Sequence, residues 1–266
     1  MKCPRYSLIL FSMQNRLELT KHVQTIDCTK NRTLRLLTLM NWLQEAADAH
    51  ATQLGVGIEY CTNHNMTWVG RSYHIIVEKF PKLHDKVKVS TWPSERNKLT
   101  ATREFLIQDP SEDSIVLFKA TSSWIMIDIE KRKILPLETH TPQYELDETR
   151  VIPTNFPKIT DLQDVKAERT THHIVRYDEI DLNQHVNNAN YLLWAAEEIN
   201  QNGNAPHAIQ IDFKKEGKED TDITIKSTVN ENESLHIILG KDPDDTEEKE
   251  LCRVKILWDR KALFKK

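Results

Sequence analysis

The chain has 266 residues and a mass of 31.1 kDa, which predicts one large domain or two small ones. Its 36 basic and 40 acidic side chains give a net charge of −4, which argues against a general nucleic-acid binder. The six glycines form no dinucleotide fingerprint, and neither a GxxxxGK[ST] loop nor a GxSxG elbow occurs. Dinucleotide-dependent enzymes, P-loop NTPases and typical α/β-hydrolases are therefore disfavoured.

The four cysteines, Cys3, Cys28, Cys61 and Cys252, are too scattered to form a zinc or redox pair. We expect them to be buried thiols in a reducing, cytoplasmic compartment, with no bound metal. An apolar run over 6–13 is too short to span a bilayer and lacks a small-residue cleavage site, so no membrane association is expected.

The first half predicts a strand around 16–27, one long helix and four antiparallel strands. Apolar residues recur every three or four positions from 34 to 54, which indicates a helix with one buried face that ends before Gly55. The pattern then changes to alternation, with breaks at prolines and turn residues. The segments with this strand pattern are 68–80, 86–92, 99–108 and 114–129.

An irregular, proline-containing stretch over 136–165 separates the two halves. We place the linker itself at 141–159, between an N-terminal domain over 1–140 and a C-terminal domain over 160–266. The order of elements then repeats, with an acidic solvated loop at 242–250. The predicted elements are a strand at 169–178, a helix at 187–200, and strands at 207–215, 221–229, 233–239 and 250–259.

The repeat is visible in individual residues as well as in the pattern. Asn31-Arg32-Thr33 precedes the first helix as Asn183-Gln184-His185 precedes the second, 152 positions later. Each helix also carries a Trp followed by an Ala-Ala pair. A sheet that wraps one helix, followed by a second copy of itself, is an α+β tandem hotdog, in which each helix and its sheet bury their apolar faces together.

The stretch Asp181 to Asn188 places four amides, one carboxylate and one imidazole at the start of the second helix. Helix capping needs only one of these side chains, whereas a helix start also favours a bound anion. The first copy has Thr33 where the second has His185, which suggests that only the second copy carries a working site. Glu216 follows the next strand and could reach the same cleft, although a charged strand end is also typical of simple solvation.

The stretch DLNQHVNNANYLLW resembles the active-site block of acyl-acyl-carrier-protein thioesterases of plant plastids and bacteria. The segments WVGRSYHIIVEKFPKLHDKVKVSTWP, ATSSWIMID and IQIDFKKEG are also similar to that family, so the resemblance extends over about 16–260. It implies two hotdog domains, hydrolysis of an acyl thioester, an acyl carrier protein as partner, and no metal or organic cofactor. The family's catalytic residues correspond to Asp181, Asn183, His185 and Glu216.

The chain departs from many plant members, which have a Cys directly after the catalytic Glu, because Gly217 stands there. A covalent acyl-cysteine route through that position is therefore impossible, and direct attack by water is expected. The N-terminus is not of the long, Ser- and Arg-rich kind typical of plastid transit peptides, which favours a bacterial cytoplasmic member.

In the mechanism we expect, Glu216 is the general base, acting on water directly or through His185, beside an apolar acyl pocket. Asn183 would hold the carbonyl or the water, and Asp181 would orient His185 or Asn183. Backbone N–H groups at the start of the second helix would bind the oxyanion. The residues alone leave open which of Glu216 and His185 takes the proton.

Met40, Leu43 and Ala47 of the first helix are candidates to line the acyl pocket and set chain length, although core packing explains them equally well. A basic patch could bind an acidic carrier protein, and a homodimer is also expected. The patch comprises Lys30, Arg32, Arg35, Lys214 and Lys215. Three alternatives stay open: an acyl-CoA hydrolase, a hotdog enoyl-thioester hydratase, and an acyl-sensing hotdog without catalysis.

Overall fold

In the described part of the chain, two long helices and ten strands of six or more residues form where the periodicity predicts them. The computed structural model describes residues 15–159, 167–200 and 205–259. The helices are α1 (Leu36–Gln53), α2 (Ile58–Asn63), α3 (Leu137–His140) and α4 (Asn188–Asn200). The strands are β1 (Leu17–His22), β2 (Met66–Val77), β3 (Lys86–Arg96), β4 (Ala101–Asp109), β5 (Glu112–Asp128), β6 (Ile134–Leu135), β7 (Arg169–Ile174), β8 (Ala205–Phe213), β9 (Asp222–Val229), β10 (Glu233–Lys241) and β11 (Lys249–Asp259).

The first strand of each half is shorter than the sequence predicts, because a tight turn ends it. After β1, residues Thr25–Asp27 form a 3-10 turn in which the Asp27 carboxylate accepts the Gln24 N–H at 2.9 Å. After β7, Tyr177–Glu179 form the same turn, closed by Glu179 in the same way. A carboxylate that satisfies a backbone donor locally competes with continuation of the strand.

All strands join one antiparallel sheet, and its order repeats about a central pair. The order is β1-β3-β4-β5-β2-β8-β11-β10-β9-β7, with β6 beside β5, so each half contributes the same five-strand arrangement. The halves meet where β2 pairs with β8, from Ser72↔Asp212 to Ile76↔Ala208. The fold is therefore a double hotdog, as predicted.

The two long helices lie side by side against the sheet and share one hydrophobic core. Leu39 and Leu43 of α1 and Leu192 and Ala195 of α4 are each 1% exposed or less and belong to the same buried cluster. Burial of apolar area across both halves is the main favourable term in folding. In the part of the chain that the structure describes, no helix is long and apolar enough to cross a membrane.

The connecting segment at 141–159 packs against β3 and β4 of the first-half sheet. The Trp92 indole N–H donates to the Thr149 carbonyl at 2.9 Å, and the Arg150 Nε lies 2.7 Å from the carboxylate of Glu104. Glu104 is fully buried and also accepts hydrogen bonds from Ser94 and Thr121. The connection is thus held by a buried ion pair. The domain limits at 1–140 and 160–266 stay predictions, and residues 1–14, 160–166 and 260–266 lie outside the described residues.

Candidate active site

The turn before α4 is built by Asp181. Its carboxylate oxygen Oδ1 accepts the backbone N–H of Asn183 at 2.8 Å and that of His185 at 3.3 Å. The Asp181 N–H in turn donates to the His185 carbonyl at 2.8 Å, and Gln184 adopts a φ of 63°. Asp181 therefore positions Asn183 and His185 through their backbone, and no described bond joins its carboxylate to the imidazole.

A backbone hydrogen bond brings this turn against the end of β8. The Val186 N–H donates to the Gly217 carbonyl at 2.9 Å, so the residues on either side become neighbours. As a result, His185 Nε2 lies 3.3 Å from Glu216 Oε2. The two side chains are about a quarter exposed, at 23% and 27%, so solvent water can reach them. The structure thus places together an imidazole and a carboxylate that the sequence separates by 31 positions.

Arg132 is a site residue that the sequence analysis missed. It lies in the turn between β5 and β6 of the first half, and its guanidinium forms an ion pair with Glu216. The expectation of an apolar environment for Glu216 is therefore wrong, because this carboxylate lies between a guanidinium and an imidazole. The sequence shows a basic run at this turn, Lys131-Arg132-Lys133. Such a run does not identify Glu216 as the acidic partner of Arg132.

Most backbone N–H groups around the start of α4 already have acceptors. Asn187 caps the helix, because its Oδ1 accepts the Ala189 N–H at 3.0 Å and also the Gln44 side-chain amide at 3.1 Å. The N–H groups of Asn187 and Asn190 bond to the carbonyls of Glu179 and Asn187. Within 167–200 and the rest of the described chain, no acceptor bonds the Asn188 N–H. Among these backbone groups, the Asn188 N–H therefore stays a candidate for the expected oxyanion donor.

A cavity of about 210 Å³ lies between α1, α2 and the first-half sheet, and it reaches the turn before α4. Asn183 is the second-half residue that lines it, and within the described residues no hydrogen bond engages the Asn183 side chain. Ala47 also lines the cavity, whereas Met40 and Leu43 are packed in the core and do not. The remaining lining residues are Gln44, Asp48, Ala51, Val56, Gly57, Ile58, Cys61, Thr67, Trp68, Pro93, Ala101, Thr102, Arg103, Trp124 and Tyr144.

The first copy retains the turn but not the ionisable groups. Arg32 repeats the left-handed backbone of Gln184, with a φ of 62°, and the Leu34 N–H donates to the Pro81 carbonyl as Val186 does to Gly217. These equivalences place Phe80 where the second copy has Glu216. Thr29, Asn31 and Thr33 take the places of Asp181, Asn183 and His185, so the first copy has neither base nor imidazole.

The described cysteines lack the environment of a nucleophile. Cys28, Cys61 and Cys252 are buried, and Cys3 lies outside the described residues. Burial raises the pKa of Cys61 to about 11 and that of Cys252 well above its usual value, so both stay protonated thiols. Position 217 is also crowded, because a Cβ there would approach the Val186, Leu251 and Tyr191 side chains to 3.1–3.2 Å.

No cluster of three His, Cys, Asp or Glu side chains that could hold a metal ion occurs among the described residues. The basic patch expected from the sequence divides into two groups. Lys30, Arg32 and Arg35 flank the start of α1, whereas Lys214 and Lys215 follow β8 and bond through their N–H groups to Leu251.

Family models for the two domains of one enzyme family match most of the chain. Residues 17–141 match the acyl-ACP thioesterase N-terminal domain and residues 162–260 match the C-terminal domain. The chain is 28% identical over 231 residues to a palmitoyl-acyl carrier protein thioesterase of Gossypium hirsutum, covering 81% of this chain and 55% of the relative. It is 26% identical over 230 residues to an oleoyl-acyl carrier protein thioesterase of Coriandrum sativum, covering 79% and 62%. Both relatives are chloroplastic, and the chain spans about half to two thirds of their length.

Solved structures with the same fold cover nearly the whole chain. An acyl-ACP thioesterase of Bacteroides thetaiotaomicron superimposes with a TM-score of 0.76 at 22% identity, covering 92% of this chain and 98% of the other. A 12:0-ACP thioesterase of Umbellularia californica gives a TM-score of 0.78 at 21% identity, covering 92% and 97%. With both domain models matched in order on a double hotdog, the chain belongs to the acyl-ACP thioesterase family.

Proposed function

We propose that this protein hydrolyses the thioester of a fatty acyl group on an acyl carrier protein and releases the free fatty acid. The observation that carries the proposal is the His185–Glu216 pair, 3.3 Å apart and joined by one turn to Asn183 at a cavity. The names of the relatives and the two matched domain models support this substrate class.

Water is the nucleophile in this proposal. Its oxygen attacks the thioester carbonyl carbon while its proton passes to the His185–Glu216 pair. The tetrahedral intermediate then collapses, the carbon–sulfur bond breaks, and the departing sulfur takes the proton back from His185. Arg132 keeps the Glu216 carboxylate in place beside His185 through their ion pair.

The Asn183 amide and the Asn188 N–H are the donors available to the carbonyl oxygen. Asn183 is exposed at the cavity, and its backbone is fixed by Asp181. A preorganised donor aimed at a developing oxyanion is typically worth about 3–4 kcal/mol of barrier. The acyl chain then extends from this point into the first-half cavity, where α1, α2 and the sheet exclude water.

Release of free thiol from a panel of acyl-carrier-protein and acyl-CoA substrates of several chain lengths tests the proposal. We expect turnover of the carrier-protein substrates with higher kcat/KM than their CoA counterparts, and equal amounts of free fatty acid. Turnover of CoA substrates alone would favour the acyl-CoA hydrolase. Hydration of an enoyl thioester without thiol release, or binding with no turnover, would favour the hydratase or the sensor.

Replacing all four cysteines by alanine should leave most of the activity, since the proposed mechanism uses no thiol. Cys28, Cys61 and Cys252 are buried, so the melting temperature of the variant is measured beside its kcat. A soluble, folded variant whose kcat falls by about 100-fold or more, in the range typical of a lost catalytic group, would contradict direct attack by water.

Enlarging Ala47 should shift the preferred acyl chain to shorter lengths, because its side chain lines the cavity. In Ala47→Leu, each excluded methylene loses contacts worth about 0.8 kcal/mol, so the longest substrates should lose most. Met40→Leu is the matched control on the same helix, because Met40 is fully buried and does not line the cavity. Profiles of kcat/KM against chain length check this prediction. If Ala47→Leu lowers kcat/KM equally at every chain length, the cavity does not bind the acyl chain.

We also propose an acidic carrier protein as the partner, docking beside Glu216, where Arg132, Lys214 and Lys215 supply positive charge. A cytoplasmic location is supported by the buried free thiols, which fit a reducing compartment. The homodimer stays a prediction, which sedimentation velocity would check.

A further inference from the structure

The cavity wall contains a buried charge that a plain hydrocarbon chain would leave without a partner. Arg103 of β4 lines the cavity beside Trp124 and Thr102, and the whole residue is 9% exposed. Burial lowers the pKa of Arg103 to about 10, so the guanidinium is still charged at neutral pH. A buried charge is costly unless an opposite charge or several hydrogen bonds compensate it.

Neither described side-chain partner of Arg103 is a carboxylate. Its Nη1 donates to His50 Nδ1 at 3.0 Å and to Thr91 Oγ1 at 3.2 Å. Since Nδ1 accepts this bond, that nitrogen carries no proton and the imidazole supplies no counter-charge here. Across 15–159, 167–200 and 205–259 no carboxylate forms an ion pair with Arg103. The nearest acidic residue in sequence, Glu104, points to the opposite face and pairs with Arg150.

Among the residues that the structure describes, the rest of the guanidinium also lacks acceptors. Both described side-chain bonds leave from Nη1, so the N–H groups of Nε and Nη2 are without protein acceptors among the described residues. A second polar group, the buried hydroxyl of Tyr73, has no described hydrogen-bond partner either. Tyr73 and Arg103 both pair with Ser122, so they lie in one row across the sheet. This region therefore holds more hydrogen-bond donors than its protein neighbours satisfy.

We infer that the cavity takes an oxygenated acyl chain, in which a hydroxyl, oxo or carboxylate oxygen accepts hydrogen bonds from Arg103. This inference rests on the proposed function, which accounts for hydrolysis of the thioester, and adds the chemical class of the acyl chain. The apolar lining from Ala47, Ala51 and Trp68 would pack the methylenes, and Arg103 would select the oxygen. A site built to hydrogen-bond a substrate oxygen discriminates strongly against the analogue that lacks it.

The test compares carrier-protein substrates of one chain length with no substituent, a 3-hydroxyl, a 3-oxo group, a terminal hydroxyl or a terminal carboxylate. We expect at least one oxygenated substrate to exceed the plain chain by about 10- to 100-fold in kcat/KM, as for a hydrogen bond to a charged group. Arg103→Met should abolish that preference, so that the ratio of kcat/KM between the oxygenated and the plain substrate falls to about one. The substrate with the highest kcat/KM identifies the type of oxygen that Arg103 binds and its position along the acyl chain.

Binding of the corresponding methyl esters, whose acyl end carries no carboxylate, is followed by the shift in melting temperature and separates this inference from the proposed function. If no carrier-protein substrate is hydrolysed, the proposed function fails, and tighter binding of an oxygenated ester than of the plain ester would still support the cavity assignment. If the wild-type enzyme prefers or equally accepts the plain chain, in rate or in binding, the inference is overturned while the hydrolase proposal stands. The wild-type comparison decides the matter even if Arg103→Met does not fold.

Discussion

Replacing His185 by Ala, or Glu216 by Gln, should lower kcat by about 10²–10⁴, the range typical of a lost acid–base group. The physical reason is that attacking water then has no acceptor for its proton, while binding in the first-half cavity is unaffected. Each side chain is about a quarter exposed, so its loss should leave the melting temperature nearly unchanged. Steady-state kinetics on the best carrier-protein substrate, together with a thermal melt, measure both quantities.

The first copy supplies a matched control at the equivalent position. Thr33→Ala removes the side chain that corresponds to His185 in a turn of the same backbone shape, where no base is present. We expect less than a threefold change in kcat for this variant. If Thr33→Ala and His185→Ala lower kcat equally, the turn affects the rate through the stability of the protein. If His185→Ala and Glu216→Gln both keep a kcat near that of the wild type, neither residue takes part in the mechanism.

Replacing Arg150 by Met should destabilise the fold by about 3 kcal/mol, because the fully buried carboxylate of Glu104 would lose its ionic partner. This is the lower end of the usual range for a broken buried pair, since Arg150 itself is 26% exposed. For a chain of this size the melting temperature should fall by roughly 6–12 °C. Chemical denaturation and calorimetry measure the loss.

Two further variants show whether the uncompensated charge causes the loss. Adding Glu104→Gln to Arg150→Met removes that charge and keeps an acceptor for Ser94 and Thr121, so part of the stability should return. Lys119→Met breaks the exposed pair with Glu78 and should cost less than about 1 kcal/mol. An Arg150→Met protein as stable as the Lys119→Met protein would mean that the connecting segment is not held by this ion pair.

The double hotdog could be predicted because each half carries its own complete periodic pattern and the two patterns repeat. The 152-residue offset that relates Asn31 to Asn183 also relates the left-handed residues Arg32 and Gln184. The short helices α2 and α3 were not predicted, since six and four residues are too few to show a helical period.

The site was only partly predictable, for two physical reasons. The His185–Glu216 contact was predictable because both residues lie in the second half, where one backbone hydrogen bond brings the turn before α4 against the end of β8. Arg132 comes from the other half, and its position depends on sheet pairing that no local pattern reports. The spacing of apolar residues also shows which face of α1 is buried, but it does not show where the packing of that face leaves a cavity. Met40 and Leu43 therefore pack into the core, while Ala47, one turn further on, lines the cavity.

A single turnover in ¹⁸O-labelled water, with mass analysis of both product and protein, tests the mechanism most directly. Direct attack by water predicts one ¹⁸O atom in the released fatty acid, one equivalent of free carrier thiol, and an unmodified protein. An acyl adduct on the protein, or ¹⁸O in the Glu216 carboxylate with unlabelled fatty acid, would show that the chain itself is the nucleophile and would contradict the account.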